Sequence, residues 1–427
     1  MKAVLRTALV VSTSMVAMAG VIGSAQAGGI INSSQSAVFN GMAYAGFAAP
    51  GSSSAATMFM NPATMTGFKN FTLDTNYTFG VPVTKINGTT NNPGLNAILP
   101  GSSGDVGLDY FVPATYIIYP FSDRLFLGIA ANTTYGNTTK PDAMWRGSPF
   151  AATSKLRITT ITPSIAYKIN EMWSVGLGLQ VQYGSARQYV FAAPPGPANA
   201  GIAKADGWGV GFTAGVTFTP TKTTQIGLGW RSFVDHNLEG TTVFPAPPFQ
   251  DANAKGKLNL PNRVNLSLRQ TLTPKFDLLA SVEWQNFGRI GNARLNTVFP
   301  ALQVLPFGYS DGWMFALGGE YKYNEKLTLR AGIAYEKSPV TDAIRRVSLP
   351  DNDRLWLSTG FTYEVTDRFA LNASYSFLHI KDASINQRSG ALTFTGTSKA
   401  HAHLLSVGLT SKWGAPPKRE EPLVKKF

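Results

Sequence analysis

Between residues 70 and 413 apolar and polar side chains alternate with a period of two. Along residues 327–335 one set is Leu327, Leu329, Ala331, Ile333 and Tyr335, and the other is Thr328, Arg330, Gly332 and Ala334. Period two sends the two sets to opposite faces of a strand. The same alternation runs through residues 173–183, 210–218, 313–317 and 355–365, with Gly, Ser, Thr and Gln on the polar face. The runs reach about ten residues and carry Trp or Tyr near their ends, which is the length and edging of a tilted strand that crosses a bilayer.

The connections alternate too. Short polar turns stand at 121–124, 169–172, 219–222, 272–275, 323–326 and 365–368, each with the Pro, Asn, Asp or Ser that tight turns favour. Longer Gly-, Pro-, Asn- and Ala-rich stretches lie near 81–109, 137–154, 191–206, 241–255, 294–310, 338–352 and 381–399. Six turns and seven loops join fourteen strands, starting near 70, 110, 124, 155, 172, 206, 224, 257, 276, 311, 326, 353, 368 and 400. A soluble sandwich shares the local alternation, but short turns at one end and long loops at the other are the rhythm of a membrane barrel. The sheet must close, because an open edge in lipid leaves backbone donors and acceptors unpaired. The expected fold is all-β, a 14-stranded antiparallel transmembrane β-barrel.

The ends of the chain depart from this pattern. Lys2 and Arg6 precede an apolar stretch to Ile22 and the small-x-small site Ala25-Gln26-Ala27, so residues 1–27 read as a signal peptide. Residues 28–69 are small and apolar without strand alternation, and such a segment cannot lie in lipid as loop. It belongs in the periplasm or, as a mostly helical or irregular hatch, in the lumen. The barrel proper spans 70–413, and 414–427 forms a periplasmic tail in which either Trp413 or Phe427 is the terminal aromatic met by the barrel-assembly machinery.

Composition narrows the class. Charged residues are 14% of the chain and aromatics 11%, with 42 glycines, against the quarter of charged residues usual in soluble proteins. The formal charge of +13 falls to +11 when Lys2 and Arg6 leave with the signal. An exported basic chain fits anions at a lumen or rim, or anionic lipid such as lipopolysaccharide, better than nucleic acid. There is no cysteine, and the four histidines have no metal-ligand spacing, so neither metal, cofactor nor catalytic group is expected. An outer-membrane phospholipase would need a serine beside His236 or another histidine, and no nucleophile motif provides it.

Two stretches resemble the outer-membrane long-chain fatty acid transporters, the FadL family, whose relatives include aromatic-hydrocarbon channels. One runs from Ser36 through Phe47 and Phe59 to Asn61-Pro62-Ala63, similar to that family's N-terminal hatch. The other joins Ser338-Pro339-Val340 to Ser348-Leu349-Pro350-Asp351-Asn352-Asp353-Arg354, similar to its late-strand signature. Leu260-Pro261-Asn262-Arg263-Val264 is a weaker match. The resemblance implies a monomeric, Gram-negative outer-membrane barrel plugged by its hatch. It also implies passive uptake of hydrophobic ligands that leave by movement of the hatch or of a kinked third strand. The third strand here, near 125–135, has no proline to kink it.

Parity places Arg330, Arg354 and Trp356 toward the lumen. A fatty acid needs a buried cation and an apolar trough, which Arg330 or Arg354 and Trp356 would supply. The competing reading pairs these arginines with the inward Glu320, Glu336 or Glu364. Asp351 and Asp353 are expected to order the start of their strand. The apolar loop segments 192–198 and 244–249 read either as a capture groove at the cell surface or as plain loops. Long-chain fatty acid uptake leads. Uptake of aromatic or aliphatic hydrocarbons on the same scaffold, an open general porin and a surface adhesin are the alternatives.

Overall fold

The alternation becomes a closed wall. A computed structural model describes residues 30–142, 144–150, 153–191, 200–243, 251–290, 292–296, 304–306 and 308–414. The expected signal peptide, the expected tail beyond Gly414 with Phe427, and the segments 192–198 and 244–249 lie outside the described residues. Fourteen strands form the wall. They are β1 Phe71–Thr90, β2 Tyr110–Pro120, β3 Leu125–Thr139, β4 Ser154–Lys168, β5 Trp173–Phe191 and β6 Ala200–Phe218. β7 is Thr224–Arg231 continued by Val234–Val243, and β8 is Ala252–Leu260 continued by Arg263–Thr273. The rest are β9 Phe276–Gln285, β10 Gly312–Lys322, β11 Leu327–Lys337, β12 Arg354–Thr366, β13 Phe369–Ser389 and β14 Leu392–Trp413. Each pairs antiparallel with the next. β1 then pairs with β14 from Phe71↔Trp413 to Thr90↔Phe394, closing the sheet.

The expected short turns are built by their side chains. Asn170 Oδ1 accepts from the amides of Met172 and Trp173, and Asn324 Oδ1 from those of Lys326 and Leu327. The opposite end differs from expectation because strands run on into stretches expected as loops: β1 continues to Thr90 within 81–109, and β6 begins at Ala200 within 191–206. The stretch 381–399, expected as a loop, is a long hairpin in which β13 and β14 stay paired to Ser389↔Leu392 around Gly390, whose φ is +59°. Outside lipid the sheet's outer face meets water, so polar residues continue the strands while Ile385 and Phe394 still face inward. There they join Ile86, Trp145 and Val347 in an apolar cap over the extracellular end.

Two strands are interrupted side by side. Pro261 cannot donate to the ladder, and β8 breaks there, as β7 does at Ser232–Phe233. Asn262 Oδ1 accepts the freed Phe233 amide at 3.1 Å. Outward positions midway along the strands, such as Leu405, Val407 and Leu409, expose their side chains to the lipid. Val407→Arg puts a cation near the bilayer midplane and is expected to cost about 2–4 kcal/mol. Reversible denaturant unfolding in lipid vesicles measures it.

Candidate functional site

Residues 30–69 fill the lumen. Ser36 caps the short helix α1 (Ala37–Asn40) by accepting from the Phe39 amide, and the chain then turns through Ala43 and Tyr44 at φ +49° and +65°. Two consecutive non-glycine residues in the left-handed region cost roughly 1–3 kcal/mol each, a conformation kept only where surroundings hold it. A second short helix, α2 (Thr57–Met60), leads to Asn61 and a 3-10 turn, Pro62–Gly67, with Pro62 at its start, where its missing N–H costs nothing. Phe39, Tyr44, Phe47 and Phe59 form the hatch's own core: Phe39–Phe47 and Tyr44–Phe47 centroids lie 4.9 and 5.1 Å apart, and Phe47 stacks on Phe59 at 6.0 Å. Burial pushes the Tyr44 hydroxyl well above its ordinary range, so it stays protonated while accepting from the Gln35 amide at 2.8 Å.

The wall receives this plug through glycines. A Cβ on Gly229 would overlap the Met60 carbonyl, one on Gly227 the Ala48 carbonyl, and one on Gly332 the Met42 backbone. On the other side Gly176 meets the backbone of Pro62 and Ala63, and Gly215 meets Asn61. Inward hydroxyls and amides then tie the hatch's backbone to the wall. Gly46 N donates to Ser281 Oγ (2.8 Å), Ala48 N to Ser267 Oγ (3.0 Å), and Ala37 N to Asn76 Oδ1 (2.9 Å). Asn61 is the clasp. Its Nδ2 donates to Ala48 O at 2.8 Å and to Val216 O of β6 at 3.0 Å, while its Oδ1 accepts from Ala63 N at 3.0 Å.

The leading end of the hatch belongs to the wall itself. β2 pairs with β3 only from Pro120↔Phe126 to Ala114↔Asn132. Beyond Asn132, β3 keeps β4 on one side but leaves β2, with a bulge at Thr134. Ile30–Asn32 take the vacated edge: Asn32 N donates to Thr134 O (3.0 Å), Gly136 N to Ile30 O (2.8 Å), and Ile31 bridges Tyr135. The side chains of Asn32 and Gln35 both donate to Thr133 O, at 2.9 and 2.8 Å. A bulge bends a strand without proline, which is how a proline-free third strand comes to part from its neighbour.

Above the hatch an apolar layer joins Ile31, Tyr135, Ile158, Leu238, Leu258 and Leu260. Between hatch and wall lies a narrow cleft, bounded among others by Tyr44, Phe47, Phe59, Arg263, Glu283 and Met314.

The arginines expected at the site are buried and face inward. Arg330 Nε lies 2.6 Å from Glu320, which also holds Arg269, and Arg330 donates to Thr362 Oγ1 at 2.5 Å. Arg354 pairs with Asp351 and, at 3.6 Å, with Glu336. Trp356 donates to Glu336 at 3.1 Å and sets its ring edge-on to Tyr44, centroids 6.2 Å apart. Ser338 donates its hydroxyl to Asp351 and its amide to Asp353 (3.0 Å), while Asp353 accepts from Tyr335 (2.7 Å). The Pro339 carbonyl accepts from the Ser310 amide at 2.9 Å, and Pro350 borders a second small cleft beside Asn137, Thr138 and Thr139. The signature residues thus knot the start of β12 to the end of β11.

Arg231 was not singled out from the sequence. Arg231 is 3% exposed, lies 4.0 Å over the Phe59 ring and donates to Phe59 O at 2.6 Å and to Gln180. Arg263 pairs with Glu283 (2.8 Å), Arg269 with Asp277 (2.6 Å), and Arg345 with Asp342. Among the described buried arginines, Arg231 alone has no carboxylate partner. Its inward parity was legible, since Trp230 and Leu228 face lipid and Gly227 and Gly229 the hatch. Its lack of a partner was not.

A closed antiparallel barrel with an apolar band outside and a folded segment filling its lumen defines a plugged outer-membrane β-barrel of the transport-channel class. The chain belongs to the family described as outer membrane protein transport protein (OMPP1/FadL/TodX), whose model matches residues 18–413. It is 27% identical over 376 residues to the long-chain fatty acid transport protein of Salmonella typhi, covering 80% of this chain and 84% of that one. It is 28% identical over 424 residues to outer membrane protein P1 of Haemophilus influenzae, covering 86% and 92%. Among solved structures, a Pseudomonas aeruginosa FadL homologue superposes with a TM-score of 0.81 at 21% identity, over 90% of this chain and 100% of that one. The Ralstonia pickettii toluene transporter TbuX gives 0.63 at 17% identity over the same shares. These superpositions show the shared fold.

Gly229→Val forces two methyl groups and a Cβ into the Met60 carbonyl and is expected to displace the hatch. Planar-bilayer recording should then show a steady conductance larger than that of the unaltered protein. Equal conductance means that the hatch absorbs the insertion without leaving the lumen.

Proposed function

We propose that this barrel takes up long-chain fatty acids by passive diffusion, with the hatch and its leading residues 30–32 as the gate. The observation that carries the reading is Arg231, a buried cation without a carboxylate, placed where the hatch meets the apolar layer. A fatty acid is one carboxylate on a long apolar tail. The layer around Ile31, Leu258 and Leu260 suits the tail, and Arg231 suits the head. Arg330, Arg354 and Trp356, expected as ligand contacts, already serve Glu320, Asp351 and Glu336. Their proposed role is to brace the wall, since a buried pair broken on one side costs about 3–5 kcal/mol.

Withdrawal of Ile30–Asn32 from β3 would leave the seam between β2 and β3 open toward lipid, a route for an apolar tail that avoids water. The second reading, uptake of aromatic hydrocarbons, is favoured by the apolar layer and by the fold shared with toluene transporters. It leaves Arg231 without an anion.

Arg231→Gln is expected to lower the affinity of the purified barrel for oleate by about tenfold or more, the worth of a charged hydrogen bond, while toluene binding stays unchanged. Calorimetry on both ligands decides it: an equal effect on both, or on neither, removes Arg231 from the head-group role. The gate has a separate test. The chain has no cysteine, so Ile31→Cys with Tyr135→Cys yields a single disulfide across the bridge. Cells carrying the oxidised form should take up oleate slowly and recover on reduction. Unimpaired uptake in the oxidised state would place the exit elsewhere.

A further inference from the structure

Three of the chain's four histidines stand on one outward face of the barrel. β13, β14 and β1 lie side by side with His379 opposite His401 and His401 opposite Val83. One pleat toward the periplasm, Phe377 faces His403 and His403 faces Val81. One pleat the other way, Lys399 faces Lys85, with Lys381 at the β13 bulge beside them. The face continues downward through Leu405, Val407 and Leu409, so these side chains point away from the lumen. The imidazoles are organised: Tyr375 Oη lies 2.7 Å from His403 Nδ1, and the His401 and His403 rings meet edge to face at 5.5 Å.

Their height is fixed by the strand. Trp413, packed on Phe369 with centroids 5.5 Å apart, marks the periplasmic girdle. His403 is ten residues up β14 from Trp413. At ~3.3 Å per residue and ~40° tilt that is about 25 Å, the thickness of the apolar band. The imidazoles therefore stand at the outer boundary, and the lysines about 10 Å beyond it, in the head-group layer.

Like charges directly across strands repel, yet Lys399 is set against Lys85. Lys399 reaches Asp382 at 3.7 Å, and Asp105, opposite Lys85, turns its Oδ1 to the amides of Thr84 and Gly107 at 2.9 and 3.0 Å. Two other pairs at the same end, Lys255–Glu239 and Arg289–Asp235, are closer, both at 2.9 Å. Ammonium groups carried on adjoining strands above imidazole N–H donors provide the charge-assisted hydrogen bonds a phosphate takes. In the outer leaflet at this height the phosphate belongs to a glycolipid.

We propose that the outward face of β13, β14 and β1 binds the phosphorylated sugar head group of an outer-leaflet glycolipid, with Lys85, Lys381 and Lys399 on the phosphate and His379 and His401 beneath it. The site is independent of what passes through the lumen.

The test titrates purified full-length barrel in neutral detergent with diphosphoryl lipid A, followed by native mass spectrometry. Combined Lys85→Gln, Lys381→Gln and Lys399→Gln should lower affinity about tenfold or more, and the unaltered barrel should bind monophosphoryl lipid A more weakly. Heat-shifted gel mobility verifies that the variants are folded, and the single Lys399→Gln change should give a smaller loss in the same direction. The control removes Lys155, Arg187 and Lys204, a cross-strand row on β4, β5 and β6, by the same Gln changes. Unchanged affinity in the first variant overturns the proposal. So does an equal loss in the control, which would mean a cationic collar with no particular site.

Discussion

A peptide group inside hydrocarbon has no partner except another strand, and each one left alone costs several kcal/mol. The closure of β1 on β14 answers that constraint over the whole height of the wall. It also makes the seam above Asn132 a structural problem, because β3 there has lost β2 and must find another partner. Ile30–Asn32 are that partner. The hatch is thus held by the same requirement that closes the barrel, and its leading end completes the wall.

Volume is the second constraint. A fourteen-strand cylinder leaves a lumen wide enough for water unless something fills it. Inward glycines on β5, β6, β7 and β11 let hatch backbone approach wall backbone directly. Close approach brings peptide groups within reach of the serines and asparagines of neighbouring strands, so small residues and short polar ones work together. The aromatic centre of the hatch, Phe47 on Phe59, then sits where apolar lumen and charged wall meet. The left-handed turn at Ala43 and Tyr44 is tolerable because Ser281 takes the Tyr44 carbonyl at 3.2 Å and Trp356 packs on its ring.

Charge inside such a wall has to be settled locally. Glu320 is shared by Arg330 and Arg269, Arg263 pairs with Glu283, and Arg354 is shared by Asp351 and Glu336, so each buried arginine on β8, β11 and β12 finds an anion on or beside its own stretch of wall. Arg231 instead spends its guanidinium on a carbonyl, an amide oxygen and an aromatic face. A buried cation satisfied only by neutral groups favours an anion that arrives from outside, which connects the packing of the hatch to the proposed choice of ligand.

The period-two pattern of residues such as Leu327–Lys337 determined strand, face and strand count, because parity is a local property and lipid enforces it on every strand. The Asn and Pro of the short turns determined which end is which. The same parity read Arg330, Arg354 and Trp356 as inward. It misjudged the extent of β13 and β14, since strand polarity above the membrane looks like loop. It also had no proline by which to see the parting of β3. Which arginine lacks a carboxylate, and which strand edge needs the hatch, depends on register across strands and on a bulge at one threonine. These are relations between residues far apart in the chain, and only the closed barrel brings them together.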